Sequence, residues 1–149
     1  RNFGIKIKVA SNGMTGDEPL TSRNPAVHYG LGNIIDNAVD FADEEVTVET
    51  SWTNDTITIS VTDDGRGFSA DVLNRLGDPF VTTRSKGRST HDQGLGLGLF
   101  IAKTLLERNG AELEFLNLGK KDKSAKGASV RVTWPRSVFE RRDGLAAAE

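Results

Sequence analysis

Three groups of residues in this sequence have the types and spacing to do chemistry. Asn33 and Asn37 lie four residues apart, so on a helix both side chains leave the same face, one turn apart. Asparagine is a mediocre helix former, but its amide oxygen is a good ligand for a hard cation such as Mg2+, which keeps waters and phosphate oxygens as its other ligands. The pair also reads as two polar residues on a partly wet helix flank. Asp63-Asp64-Gly65-Arg66-Gly67 sets a carboxylate at a strand end, ahead of Gly-x-Gly. That carboxylate can accept the exocyclic amine of adenine, and the glycines let the backbone pass close to a purine ring. Asp-Gly is equally a common turn pair. Gly94-Leu95-Gly96-Leu97-Gly98 puts alternate glycines directly before a helical pattern, where free N–H groups and the helix dipole make an anion cradle suited to phosphate. A flexible linker is the alternative, although linkers seldom interleave glycine with leucine. No Gly-Lys-Ser/Thr follows, so this is not a Walker loop. Nor is it a Rossmann fingerprint, because the spacing differs and no strand leads straight in.

Arg84, Lys86 and Arg88 precede these glycines. Basic residues there could fold over phosphates and neutralise charge developing during transfer. Lys86 and Arg88 read better as a solvated basic loop. Arg84 follows Asp78-Pro79-Phe80-Val81-Thr82-Thr83 directly and reads as an ordered anchor. His28 and His91 belong to no nucleophilic triad or zinc-ligand spacing and read as structural or exposed.

The elements that must position these groups follow from periodicity. Phe3 to Ala10 alternates apolar and basic residues as a half-exposed strand does, and Ser11 to Arg23 reads as a loop. Asn24-Pro25 looks like an N-cap followed by proline at the first helical position. Val27, Leu31, Ile34, Ile35, Ala38 and Ala42 then recur at helical steps over about five turns. Glu45–Trp52 and Thr56–Thr62 alternate around Thr53-Asn54-Asp55, a hairpin. Ser69 caps a short helix to Leu76. The stretch from Gly77 to Gln93 has little periodicity, and loops of that length are often lids. Helical spacing returns from Gly98 to a stop at Asn109-Gly110. Glu112–Leu118 and Ser129–Trp134 are strands joined by a Lys-rich turn (Lys120, Lys121, Lys123, Lys126), and Pro135 ends the second. The order predicts an α/β fold, a two-layer sandwich with a mostly antiparallel sheet covered on one face by helices.

Composition leaves room for this and closes other routes. A chain of 149 residues fits one domain, read as 1–139 with a lid near 77–95. A charged, then alanine-rich tail over 140–149 reads as partly disordered. The net charge of -2 gives no reason to expect nucleic acid. No apolar run approaches the roughly 18–20 residues of a membrane span, so no direct membrane contact is expected of this segment. With no cysteine, disulfides, thiolate metal sites and thiol redox chemistry are excluded within it. A start at Arg1 fits an excerpt or a processed product, and a cytosolic setting is the simplest reading.

Taken in this order, the motifs resemble the catalytic and ATP-binding domain of sensor histidine kinases, within the wider family that includes gyrase B, Hsp90 and MutL. Leu31–Ala38 resembles the N box, Asp63–Gly67 the G1 box, Asp78-Pro79-Phe80 the F box, Gly94–Leu99 the G2 box and Gly127–Pro135 the closing glycine motif. The resemblance covers roughly residues 4–135, and several ordered motifs are far more specific than any one. Asn33–Ala42 with Gly77–Arg84 is similar to the RegB/PrrB group of redox-responsive sensor kinases.

The resemblance implies the Bergerat fold, a mixed sheet backed by three helices, and ATP with Mg2+ as the bound species. It implies that Asn37 holds the metal, that Asp63 contacts adenine and that Gly65, Gly67, Gly94, Gly96 and Gly98 shape the pocket and lid. Asn33, Asn37 and Arg84 would be the catalytic residues. Asp40, Phe41, Phe68, Phe80, Thr82, Thr83, Leu95, Leu97 and Leu99 would complete the nucleotide contacts. It implies as partners a separate dimerisation and histidine-phosphoacceptor domain of the same protein and, downstream, the receiver domain of a response regulator. The parent would be a bacterial inner-membrane sensor with this domain in the cytoplasm. ATP-hydrolysing relatives carry a glutamate at the position of Asn33 as general base. Asparagine cannot take that proton, which favours transfer over hydrolysis. Two positions depart from the pattern. Asp40 stands where many histidine kinases have a basic residue, and its carboxylate repels phosphate unless it turns away or meets the metal. Leu95 replaces a common threonine. A non-catalytic nucleotide-binding module and an ATPase of the gyrase or Hsp90 kind are the alternatives.

Overall fold

The computed structural model describes residues 4–13, 24–77, 90–119 and 126–140, and for residues 12, 13, 77 and 90–96 the backbone alone. Strand β1 (Lys6–Gly13) leads to helix α1 (Pro25–Phe41), then to the hairpin β2 (Glu45–Trp52) and β3 (Thr56–Asp63). Helix α2 (Ala70–Gly77), helix α3 (Thr90–Arg108) and strands β4 (Glu112–Asn117) and β5 (Ala128–Pro135) complete the order. The strands form one mixed sheet in the order β1-β2-β3-β5-β4. β1 runs parallel to β2, and the other neighbours are antiparallel.

Alternation sorts the sheet into two unlike faces. The row Val9, Val48, Val61, Val130 and Phe115 crosses all five strands in register; from Val48 to Phe115 it packs toward the helices, while Val9 on the edge strand is exposed. The neighbouring row Glu49, Ser60, Arg131 and Glu114 looks the other way. On that open face Thr58 and Thr133 pair their hydroxyls at 3.3 Å, Thr62 and Ser129 at 3.0 Å, and Arg131 reaches Glu114 at 3.1 Å. A face that satisfies its polar groups with its own neighbours needs no second layer, so the helices cover one side only, giving the two-layer α/β sandwich expected from the sequence.

The core lies between the inner face and the helices. Gly30, Ile34 and Ala38 of α1 face Leu99, Ala102 and Leu106 of α3 as buried residues. A Cβ added to Gly30 would sit 2.9 Å from Leu106 Cγ, so the glycine lets the two helices approach closely. Asn24 caps α1, its Oδ1 accepting from Ala26 N at 3.0 Å and Val27 N at 3.3 Å. Its Nδ2 donates to Asn109 Oδ1 at 3.1 Å, and Asn109 Nδ2 donates to Leu105 O at 2.8 Å. The start of one helix is thereby tied to the end of the other.

Three differences from the sequence reading go beyond a single residue. β1 begins at Lys6 rather than Phe3 and continues to Gly13, because it matches β2 residue for residue over the full length of that strand. α3 begins at Thr90, so Gly94, Gly96 and Gly98 lie inside helical turns rather than in a loop ahead of them. Thr90 and Asp92 are residues favoured at a helix start, although each interior glycine costs about 0.5–1 kcal/mol relative to alanine. Beyond Pro135 a helical turn over residues 136–140 continues the chain. Arg136 N donates to Asp55 O at 2.7 Å and its guanidinium to Thr53 O at 2.9 Å, while Phe139 packs on Trp134 with ring centroids 5.1 Å apart.

Trp134 is 1% exposed and has the largest fully buried side chain among the described residues. Trp134→Ala is expected to cost about 3–5 kcal/mol, read as a lower denaturant midpoint with an unchanged slope.

Candidate functional site

β3 shows how the site arises from alternation. Its inward positions run Ile57, Ile59, Val61 and then Asp63, so the pattern that builds the core delivers a carboxylate at its last step. Asp63 is 7% exposed. It lines an open pocket of about 230 Å³ with Asn37, Phe41, Gly67, Phe68 and Ala128.

Burial pushes the Asp63 carboxyl above its ordinary value. N–H groups of Gly65 and Ala128 pull it partly back, and the nearby charges of Asp64 and Asp43 add to the rise. The Gly65 N–H reaches Asp63 Oδ1 at 2.8 Å. This turn admits no side chain at Gly65, whose added Cβ would lie 1.9 Å from Phe41 O. Gly127 has φ +119, and its Cβ would fall 1.9 Å from Asp63 O. The backbone of three segments therefore converges on Asp63 at distances that glycine alone allows.

Asp64 does different work. Its Oδ1 accepts the N–H groups of Asp43 at 2.8 Å, Glu44 at 3.0 Å and Glu45 at 3.2 Å, closing the turn from α1 into β2. Burial alone would raise this carboxyl, but the three donors outweigh it and hold it below its ordinary value. Lys126 pairs with Asp43 across the same edge, and that bond and charge raise the lysine.

Asn37 is half-buried and lines the pocket. Asn33 and exposed Asp40 share its side of α1 by their spacing but are not among the lining residues. No described residue bonds the side-chain amides of Asn33 or Asn37. Among the described residues no group of three or more His, Cys, Asp and Glu side chains could hold a metal ion. A divalent cation here would draw on the Asn37 amide oxygen and on the oxygens of a bound ligand, as Mg2+ does with phosphates. The apolar rings of Phe41 and Phe68 beside one buried acceptor suit a planar heterocycle bearing an N–H donor.

The other expected residues divide. Leu97 is exposed on α3, and Leu99 is a core residue at 1% exposure rather than part of the pocket lining. Gly98 has open space where a Cβ would be, so no steric demand explains it. Gly94, Leu95 and Gly96 have only their helical backbone described. Phe80, Thr82, Thr83 and Arg84 lie outside the described residues, as do Lys86, Arg88 and the F-box residues Asp78 and Pro79. Ala128 and Asn117 were not singled out from the sequence. Asn117 bonds both backbone groups of Phe68. Its signal was present in the alternation, because Leu113, Phe115 and Asn117 share one face of β4 and an inward asparagine at a strand end calls for a partner.

The family model described as histidine kinase-, DNA gyrase B-, and HSP90-like ATPase matches residues 23–138. The chain is 48% identical over 132 residues to the sensor histidine kinase RegB of Cereibacter sphaeroides, covering 80% of this chain and 29% of that protein. It is 35% identical over 121 residues to the sensor protein KdpD of Clostridium acetobutylicum, covering 80% of this chain and 13% of that one. It thus spans less than a third of the length of these relatives. Two solved structures share the fold, each with a TM-score of 0.60 over 87% of this chain. One is full-length ShkA in complex with AMPPNP, at 24% identity and 25% coverage of that chain. The other is the mycobacterial sensor histidine kinase MprB, at 20% identity and 81% coverage.

The raised Asp63 carboxyl has a consequence for stability. Its folded pKa lies above the 3.8 of the unfolded chain, so the folded state holds that proton more tightly. Stability attributable to Asp63 is therefore highest below 3.8 and is lost as pH rises through the folded value. Asp63→Asn keeps an oxygen for the Gly65 N–H and has no charge to bury. It should match the unaltered chain in thermal midpoint at about pH 3 and exceed it by a few degrees at about pH 7. An equal or lower midpoint at the higher pH would contradict this account of Asp63.

Proposed function

The chain belongs to the histidine kinase-, DNA gyrase B- and HSP90-like ATPase family, and on that premise we propose that it binds ATP with Mg2+ and donates the γ-phosphoryl to a histidine on another domain. One observation carries the reading: a buried carboxylate, Asp63, lines a pocket together with the aromatic rings of Phe41 and Phe68. A lone acceptor in an apolar slot selects a base with an exocyclic amine. Adenine has one where guanine has a carbonyl oxygen, and a mismatched buried acceptor is penalised by its lost hydrogen bond. Asn37, which lines the same pocket from α1, is assigned to the metal. Mg2+ held there would supply positive charge to offset that of the phosphates.

Asn33 supports transfer over hydrolysis. Its neutral amide cannot take a proton from water at working pH, so nothing at that position of α1 activates a water molecule. The remaining work is positioning and charge stabilisation, as in other phosphoryl transfers. Asn33 orients the phosphate end, and Arg84 neutralises developing charge. Asp40 is assigned a place beside the metal or turned to solvent. The parent would be a two-component sensor kinase anchored in the inner membrane, with this domain in the cytoplasm, its own dimerisation and acceptor domain as first partner and a response-regulator receiver domain as second. The likeness to RegB, a sensor histidine kinase, supports the sensor-kinase part of that assignment. No described helix is long and apolar enough to cross a membrane.

Two outcomes are expected. Asn37→Ala should weaken ATP binding about tenfold with Mg2+ present and far less with the metal chelated, measured by calorimetry; equal affinity with metal would remove Asn37 from the metal site. With γ-labelled ATP and a separately made acceptor domain, the chain should yield acid-labile phosphohistidine. Rapid phosphate release by the chain alone, with no labelled acceptor, would instead identify a hydrolase.

A further inference from the structure

Asn117 ends β4 with its side chain on the inward face, in line with Leu113 and Phe115. Its whole amide is committed to a single residue of another segment. Oδ1 accepts the Phe68 N–H at 2.7 Å, and Nδ2 donates to the Phe68 carbonyl at 2.8 Å. The amide's orientation is set by chemistry, because the N–H needs an acceptor and the carbonyl a donor. Two bonds from one amide to both backbone groups of one residue reproduce the exchange between opposed residues of an antiparallel ladder. The turn carrying Gly65, Gly67 and Phe68 is thus tied to β4 by a side chain acting as a strand.

The surroundings show how closely that turn is held. Gly67 has φ +91, and a Cβ there would lie 2.7 Å from Asn117 Oδ1 and 3.3 Å from Gly127 O. The Phe68 ring meets Phe115 edge to face with centroids 6.0 Å apart. Gly67 and Phe68 line the pocket with Asp63, whereas Asn117 does not. Asp63 can choose between bases only if the ring is kept in one plane relative to its carboxylate. The wall formed by Gly67 and Phe68 supplies that plane, and Asn117 holds the wall.

We infer that Asn117 is a positioning residue for base recognition: by clamping the Phe68 backbone it makes the preference for adenine depend on an amide that does not touch the ligand. The inference rests on the nucleotide reading given above.

The test uses the full chain, with ADP and GDP binding measured by calorimetry and amide hydrogen exchange followed by NMR. Asn117→Ala should weaken ADP binding about tenfold, the effect of losing a hydrogen-bonded wall, and GDP binding much less, so that the preference shrinks. The Phe68 amide should lose protection while those of β3 keep theirs. Asn117→Ser, able to satisfy one of the two Phe68 groups, should fall between, and it carries the same comparison if Asn117→Ala does not fold. An unchanged preference in a variant with β3 still protected overturns the inference alone, as does equal weakening for both nucleotides, which would mark Asn117 as merely structural. No binding of either nucleotide by the unaltered chain overturns the nucleotide reading, and the inference with it.

Discussion

A carboxylate at the end of a buried strand row must find in the protein the hydrogen bonds it gives up in water, and the arrangement around Asp63 is a response to that demand. The inward row of β3 is apolar until its last residue, so the charge arrives where the core ends and the sheet meets its turns. N–H groups of Gly65 and Ala128 come to it, and for them to do so the backbone must crowd in. Gly65 and Gly127 are the residues that permit the crowding, each with a backbone oxygen at 1.9 Å from where a Cβ would stand. The compensation stays incomplete, and the carboxyl remains raised. An under-satisfied acceptor facing a pocket is a poor structural element and a good ligand contact.

Its neighbour in sequence shows the contrast. Asp64 has three N–H donors on one oxygen and is held below its ordinary value. Its stabilising share is present above 3.8 and is lost as pH falls through the folded value, the opposite sign to Asp63. Two adjacent aspartates therefore divide the labour. Asp64 fixes the exit of α1 into β2, which sets where Asn37 and Phe41 stand relative to β3. Asp63 is left with capacity for a ligand. The clamp of Asn117 on Phe68 closes the remaining wall, and the pocket is bounded by three segments distant in sequence.

Much of this was legible in the sequence because it depends on local rules. Asn24-Pro25 set the start of α1, period-two alternation set the hairpin and the last two strands, and the order of elements gave the sandwich. Asp63 and its glycines were legible as a site because Asp-Gly-x-Gly at a strand end combines an acceptor with a bare backbone. What escaped depends on tertiary context. The parallel match of β1 to β2 moved its boundaries, since the length of the partner strand and not the local pattern decides where pairing stops. The early start of α3 turned the glycines into helix residues, a case where backbone hydrogen bonding along the helix overrides a weak propensity. Alternation marks Asn117 as inward, but its partner, Phe68, lies 49 residues away, and no local spacing reveals that bond.

The central claim is that the Asp63 carboxylate reads the base of a bound adenine nucleotide. A crystal structure of this chain with Mg2+ and a non-hydrolysable ATP analogue tests it most directly. The exocyclic amine is expected within about 2.7–3.2 Å of an Asp63 carboxylate oxygen, with the ring against the Gly67–Phe68 wall. A nucleotide whose base lies outside this pocket, leaving Asp63 bonded only to Gly65 and Ala128, would contradict it.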